Sequence, residues 1–420
     1  MFDLVVKNGL CLVDDRFLDC NIGIEGNKIA YIGKNKVKGE EEINARDCLV
    51  LPGFFNAHTH SAMTLLRGYA EALPLNQWLD KVWKIEAMLD ESSIYWGSML
   101  ACIEMLRNGV TCFADMYIHM DSVAKAVEES GIRAVLGYGM ADRGIEERIE
   151  KEIRIAMDFS ERWNGRSRVK VMLTPHAIYT CSKEFLSIIN KIAKEKGILK
   201  HIHVSETLWE VKESKKKFEK TPVELLDSIG FLDKKTILVH CVWLSDAEIK
   251  KIAEKEASVV HCPSSNLKLS SGIARVAEMV ESGIDVAIGT DGAASNNMLN
   301  PLLEARTAAL LQQLRRKFLN PLKYLEMVSK NGYMIYGIDG GEIMEGKIAD
   351  IVIFELKLHH MPFYDYKNSL LFSSTGNEVR DVIVDGKVVL EDRELVYVDE
   401  ERILDKILDK ISKIISQNGD

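Results

Sequence analysis

The chain has little of what marks a secreted, membrane-spanning or nucleic-acid-binding protein. Eight cysteines are scattered over 420 residues without a C-x-x-C pair. Several of them (Cys112, Cys241, Cys262) sit inside or at the ends of apolar runs, where a free thiol behaves as a small hydrophobe. That pattern reads as reduced and intracellular, not as a disulfide framework. No apolar run approaches the roughly 20 residues that cross a bilayer. The start, Met1-Phe2-Asp3-Leu4-Val5-Val6-Lys7, lacks the cationic segment and long apolar stretch of a signal peptide. Basic residues number 54 against 63 acidic ones, a net charge of -9, so no global basic field awaits nucleic acid. The densest basic run, Lys212 to Lys220, also holds Glu213 and Glu219 and reads as a solvated helix or loop face. These absences predict a soluble, cytoplasmic protein with neither membrane nor nucleic-acid partners. A 47% hydrophobic content is ample for a large core in one or two domains.

Against that background stands a histidine pair, His58-Thr59-His60, closing the apolar run from Cys48 to Ala57. In an extended segment residues i and i+2 share a face, so both imidazoles face one spot at the strand end. Two neutral imidazoles converging on a point suit a borderline-soft divalent metal.

Short β-branched runs alternate with helical patterns along the rest of the chain. The runs are Leu49 to His58, Val110 to Asp115, Ala134 to Tyr138, Val169 to His176, His201 to Glu206, Ile237 to His240, Ser258 to His261 and Val286 to Asp291. Segments with 3.6-residue apolar spacing separate them, such as Phe185-Leu186-Ile188-Ile189-Ile192. Eight such repeats predict an α/β protein built on a parallel (β/α)8 TIM barrel. Seven of the runs end in His, Asp or Glu, and in that barrel the C-terminal strand ends meet around one mouth.

Both ends of the chain have a different texture. Two-fold alternation surrounds a tight turn at Glu25-Gly26-Asn27, and Asp385-Gly386 joins two alternating segments near the other end. The two termini are therefore expected to form one small β-sandwich domain, residues 1–51 and 345–420, around a barrel of residues 52–344. The last stretch, Ile403 to Ile415, is an amphipathic helix that covers core or contacts another subunit.

A third metal ligand follows from the fifth strand. His203 lies nearer the strand's C-terminal end than His201, which reads as a hydrogen-bonded core histidine. Asp291 ends the eighth strand and comes beside the first once the barrel closes. His58, His60, His203 and Asp291 make an N3O set for one divalent metal, Zn2+ first and Fe2+ second, with room for a water. A water on such a metal loses its proton near neutral pH and becomes a nucleophile. Glu206, three residues past His203, is placed to carry a proton between that water and the substrate. His240, at the sixth strand end, can hydrogen-bond the attacking water or a developing oxyanion.

Four motifs in order, Pro52 to His60, His201-Ile202-His203-Val204-Ser205-Glu206, Gly289-Thr290-Asp291-Gly292 and Gly346 to Val352, resemble the amidohydrolase superfamily across essentially the whole chain. The resemblance implies a metal-dependent hydrolase or deaminase. Two-metal members carry a carboxylated lysine at the end of the fourth strand. Thr174-Pro175-His176 stands there instead, which favours one metal and, in that superfamily, deamination.

A finer resemblance is to 5′-methylthioadenosine/S-adenosylhomocysteine deaminases and their 5′-deoxyadenosine-deaminating relatives. It rests on Leu65-Leu66-Arg67-Gly68, Trp78-Leu79, Ile85-Glu86, Ala114-Asp115-Met116-Tyr117, His240-Cys241-Val242-Trp243-Leu244, His261 to Gly272 and Ser295-Asn296-Asn297. It implies that Glu86 holds the ribose hydroxyls, Trp78 lies against the substrate and His176 contacts the nucleoside. Relatives that accept S-adenosylhomocysteine place arginines on the loop after the third strand. One such place here is Tyr138, and Arg148 is the expected surviving arginine, with Arg143 as its competitor. The implied reaction is hydrolytic deamination to the inosine analogue and ammonia, with Glu206 and Asp291 both touching substrate and carrying protons. The competing readings are a single-metal enzyme that deaminates or dechlorinates a free base or triazine, and, from another class, a non-catalytic barrel binding protein. A homo-oligomer, dimer or tetramer, is expected.

Overall fold

Gly53 divides the first predicted strand in two. In the computed structural model, which describes residues 1–166 and 168–418, Cys48–Pro52 and Phe54–Thr59 are separate strands that belong to different sheets. A Cβ at Gly53 would lie 2.0 Å from Thr111 Oγ1, so only glycine lets the chain pass there. The apolar run from Cys48 to Ala57 hid this boundary because both halves are fully buried.

The first half joins a nine-stranded sheet made from both termini. Cys48–Pro52 runs parallel to Phe2–Val13 on one side and antiparallel to Ile351–Glu355 on the other, stitching the two ends of the chain together. The sheet forks at Phe2–Val13: its first half pairs with Gly39–Asn44 and its second half with Cys48–Pro52. The fork lets the sheet curl over its own core, which includes Leu4, Ile22, Ile24, Ile43, Ile351 and Ile383. Both predicted hairpins form. Arg16–Glu25 pairs with Lys28–Gly33, and Val379–Val384 with Lys387–Glu391. Asp385 and Gly386 have φ of 55° and 76°, the left-handed pair that a two-residue hairpin turn requires.

The second half starts a series of parallel strands that alternate with helices. Phe54–Thr59, Val110–Tyr117, Arg133–Met140 and the broken pair Val169–Val171 and Thr174–Pro175 form one arc. Lys200–Val204, Thr236–His240, Ser258–His261 and Val286–Ile288 form another. Parallel bridges Leu173–Lys200 and Ala177–His203 join the arcs at one seam. At the other seam the Asp291 N–H donates to the His58 carbonyl at 2.9 Å. A Cβ at Gly289 would meet His58 N at 2.7 Å, so glycine is what lets these two strands approach.

Alternate residues sort to opposite faces, as a two-residue period dictates. Phe55, Val239 and Val260 pack in an inner cluster with Tyr333 and Tyr336, whereas Phe54, Leu238 and Val259 face the outer helices. Arg133, at the foot of the third parallel strand, pairs with Asp350 and Asp385 and fastens that strand to the terminal sheet. The terminal helix, Glu400–Asn418, buries Ile403 and Ile407 and leaves Leu404 and Leu408 exposed. The side chain of Ile414 lies outside the described residues. The basic run falls on the helix Leu208–Phe218, its lysines largely exposed, as predicted. All eight cysteines are free and buried. No helix among the described residues is long and apolar enough to cross a membrane.

Candidate metal centre and active site

Strand ends in this molecule turn sharply. Ser205, His240 and Asp291, each just past or at the end of a parallel strand, have φ of 52°, 72° and 61°. Such left-handed conformations cost non-glycine residues about 1–3 kcal/mol each and persist where surrounding contacts dictate them. Here they turn Glu206, His240 and Asp291 towards one cavity of about 300 Å³.

At its floor the Nε2 atoms of His58, His60 and His203 converge. His58 Nε2 lies 3.2 Å from His203 Nε2 and 3.4 Å from Asp291 Oδ1, which is 3.3 Å from His60 Nε2. Four donors set tetrahedrally at the usual zinc–nitrogen and zinc–oxygen lengths are separated by about 3.3 Å, so these spacings fit one ion. Each Nδ1 is already committed. His60 Nδ1 faces the Met116 carbonyl at 2.7 Å and His203 Nδ1 the His176 carbonyl at 2.8 Å. A carbonyl only accepts, so both rings carry their proton on Nδ1 and leave Nε2 bare.

For His58 the same result comes through a buried chain. Tyr336 donates its hydroxyl to the Ala57 carbonyl at 2.5 Å and must then accept from His201 Nδ1 at 3.0 Å. His201 Nε2 is left as an acceptor for His58 Nδ1–H at 2.9 Å. All three rings are fully buried. Burial pushes His58 down to about 4 and both His201 and His203 well below the ordinary histidine range, which favours the neutral, metal-binding form of these rings.

Asp291 shows the opposite balance. Burial alone would raise it, but the imidazoles packed around it, His58 first, hold it well below the carboxylate range. Its Oδ2 accepts from Ser265 and Ser295 at 2.6 and 2.8 Å, and Oδ1 from the Gly292 N–H. Glu206 is raised by burial; its Oε1 accepts from Ser271 at 3.0 Å and its Oε2 is 3.7 Å from His240 Nε2. His240 in turn bonds Asn266 Oδ1 through Nδ1 at 2.9 Å, presenting Nε2 to the cavity.

The predicted substrate residues gather above this floor. Trp78 and Glu86 line the cavity from the helix Leu75–Glu86, and His176 lines it from the end of the fourth strand, its Nδ1 bonded to Thr180. Tyr117 donates to Glu86 Oε1 at 2.5 Å. The two arginines offered by the sequence lie in different places. Arg148 sits on the helix Glu146–Trp163, 3.6 Å from Glu152, and does not line the cavity. Arg143 does, with its guanidinium carbon 5.1 Å from the centre of the Trp83 ring. Its place in the loop before that helix, at a φ of 53°, turns it to the rim.

Two strand-end residues stand apart from both the metal-ligand cluster and the cavity lining. Asp115 is covered by Ser61, which donates to it through both backbone and hydroxyl, and burial pushes it up to about 6. His261 is buried, and neither ring nitrogen has a hydrogen-bond partner among the described residues. Sequence reasoning assigned no role to Ser265, Ser271, Ser295, Asn266, Tyr117 or Tyr336. Five of them stand inside quoted motifs, but only folding shows what each one touches.

The chain is similar to known proteins over nearly its whole length. The chain is 58% identical to 5-methylthioadenosine/S-adenosylhomocysteine deaminase 2 of Archaeoglobus fulgidus, over 97% of each chain. It is 41% identical to 5'-deoxyadenosine deaminase of Methanosarcina mazei, over 99% of each. Among solved structures, an adenosine deaminase from Xanthomonas campestris with bound zinc superposes with a TM-score of 0.95 at 30% identity, covering 99% of both chains. The Amidohydrolase family model matches residues 49–389, a span that runs from the strand before the histidine pair to the returning hairpin. With all four converging donors inside that match, the chain belongs to the amidohydrolase family.

Proposed function

We propose that this protein is a metal-dependent aminohydrolase that converts adenosine-type nucleosides, such as 5′-deoxyadenosine, 5′-methylthioadenosine, S-adenosylhomocysteine or adenosine, to the inosine analogue and ammonia. One juxtaposition carries the reading: His60, His203 and Asp291 of the four-donor cluster line the same cavity as the Glu86 carboxylate, with His58 Nε2 3.2 Å from His203 Nε2. The relatives' activities support it. His58, His60, His203 and Asp291 would hold one Zn2+, with Fe2+ as the alternative, and the ion would bring a water close to ionisation at neutral pH.

The chain's own groups do the rest. Trp78 offers an indole face to the flat base, and Glu86 accepts from the vicinal sugar hydroxyls. His240 Nε2 accepts from the attacking water. Glu206, whose carboxyl is raised by burial, moves a proton from the water to N1 of the ring, which makes C6 electrophilic. Asp291, whose Oδ2 is held by Ser265 and Ser295, takes the second proton and passes it to the departing ammonia. His176 borders the base, and Arg143 at the rim can pair an acidic 5′ group.

The accompanying fold reading is a closed (β/α)8 barrel of residues 52–344 with a β-sandwich domain of residues 1–51 and 345–420. The hydrogen bonds at both seams and the forked terminal sheet support it. A cytoplasmic homo-oligomer completes the reading, supported by eight unpaired thiols and the exposed row Leu404, Leu408 and Ile415 on the terminal helix.

Adenosine, 5′-deoxyadenosine, 5′-methylthioadenosine, S-adenosylhomocysteine and bare adenine, followed by ultraviolet absorbance on zinc-loaded enzyme, test the proposal. Nucleosides should turn over and adenine should not. Comparable kcat/KM on adenine would defeat the nucleoside reading.

A further inference from the structure

Glu86 is the last residue of its helix, and its carboxyl is desolvated. Tyr117 is the only side chain hydrogen-bonded to that carboxyl among the described residues, at 2.5 Å. The phenol itself is 6% exposed and stays protonated, because burial pushes it well above the ordinary tyrosine range. A glutamate at a helix end has three rotatable bonds, and a sugar clamp needs both carboxylate oxygens aimed at once. Tyr117 supplies the fixed donor that removes this freedom and favours the ionised, accepting form.

Its position in the fold adds a second element. Tyr117 directly follows Met116, whose carbonyl orients His60 through Nδ1 at 2.7 Å. The Tyr117 and His60 rings are 5.9 Å apart. One strand end therefore sets both a floor histidine and the sugar-facing carboxylate, fixing the span between the reacting end of the cavity and the sugar end.

We propose that Tyr117 is a positioning residue for nucleoside selection: its phenol holds the Glu86 carboxylate in the orientation that receives the vicinal hydroxyls of the sugar. This rests on Glu86 being the sugar clamp. Tyr117 needs no contact with the reacting atoms, so its effect falls on binding of the ribose and not on the chemical step.

Adenosine and 2′,3′-dideoxyadenosine, which differ only in those hydroxyls, form the test on zinc-loaded enzyme. Tyr117→Phe should raise KM for adenosine about tenfold, with kcat nearly unchanged and dideoxyadenosine unaffected. Tyr117→Met, which also removes the donor, serves if the Phe variant does not fold. Adding Tyr117→Phe to Glu86→Gln should reduce the preference no further than Glu86→Gln alone. Equal losses on both substrates, or an unchanged preference, would overturn the role of Tyr117. If Glu86→Gln abolishes the preference while Tyr117→Phe keeps it, the inference fails alone. If Glu86→Gln keeps the preference, the clamp reading fails and the inference with it.

Discussion

His58 donates its Nδ1 proton to Nε2 of His201 across 2.9 Å, and Tyr336 fixes His201 in the tautomer that can accept it. The other two floor histidines give their Nδ1 protons to backbone carbonyls. His58 alone depends on a side chain for its orientation.

Replacing His201 by Phe should therefore weaken zinc binding by about 10- to 100-fold, as loss of an outer partner of a ligating histidine does. His201→Gln, which keeps an acceptor, should lose less. Zinc per chain after competition with a graded chelator measures this. Full occupancy in the Phe variant would show that His58 needs no partner.

Glu206→Gln removes the proton carrier but keeps the side chain's size and its contact with Ser271. A fall in kcat of about 10²- to 10⁴-fold is expected, with zinc content and KM close to wild type. Single-turnover and steady-state rates on 5′-deoxyadenosine check it, and full turnover would remove Glu206 from the mechanism.

Arg143 and Arg148 separate cleanly. Arg143→Ala should raise KM for S-adenosylhomocysteine about tenfold or more, the scale of a lost charge-assisted hydrogen bond, and leave 5′-deoxyadenosine nearly unchanged. Arg148→Ala should do neither, because its guanidinium lies beside Glu152. The reverse pattern would restore Arg148 to the site.

Glu210 carries a pH signature in stability. Its Oε2 accepts the Glu206 N–H at 2.8 Å, and burial pushes its carboxyl from 4.5 up to about 8. In that window the folded state holds a proton that the unfolded state has released, so stability is greatest below pH 4.5 on this account and falls as pH rises towards 8. Glu210→Gln, neutral at all pH, should show a smaller loss of Tm between pH 5 and 8 than wild type. Parallel Tm curves for the two proteins would contradict the assignment.

The sequence by itself determined which groups are available and where along the chain they fall. Two-residue spacing put His58 with His60 and singled out His203 over His201, and short runs ending in polar residues marked seven strand ends. Those signals are local, because strand period and turn chemistry are properties of neighbouring residues. The hairpins at Gly26 and Gly386 were legible for the same reason. Glu86 and Trp78 carried no local signal and came only through family resemblance; His176 was marked as a strand end, but its contact with the nucleoside came from the resemblance.

What the tertiary structure decided is which groups touch. Gly53 reads like any glycine in an apolar run until Thr111 is seen against it. Arg143 and Arg148 differ only in whether the chain has entered its helix, and that choice turns one to the rim and the other to Glu152. Ser265 and Tyr336 reach Asp291 and His201 from segments 26 and 135 residues away. Tautomers and carboxylate orientations follow from such long-range pairs. They exist only once strand register and the approach of the eighth strand to the first are set.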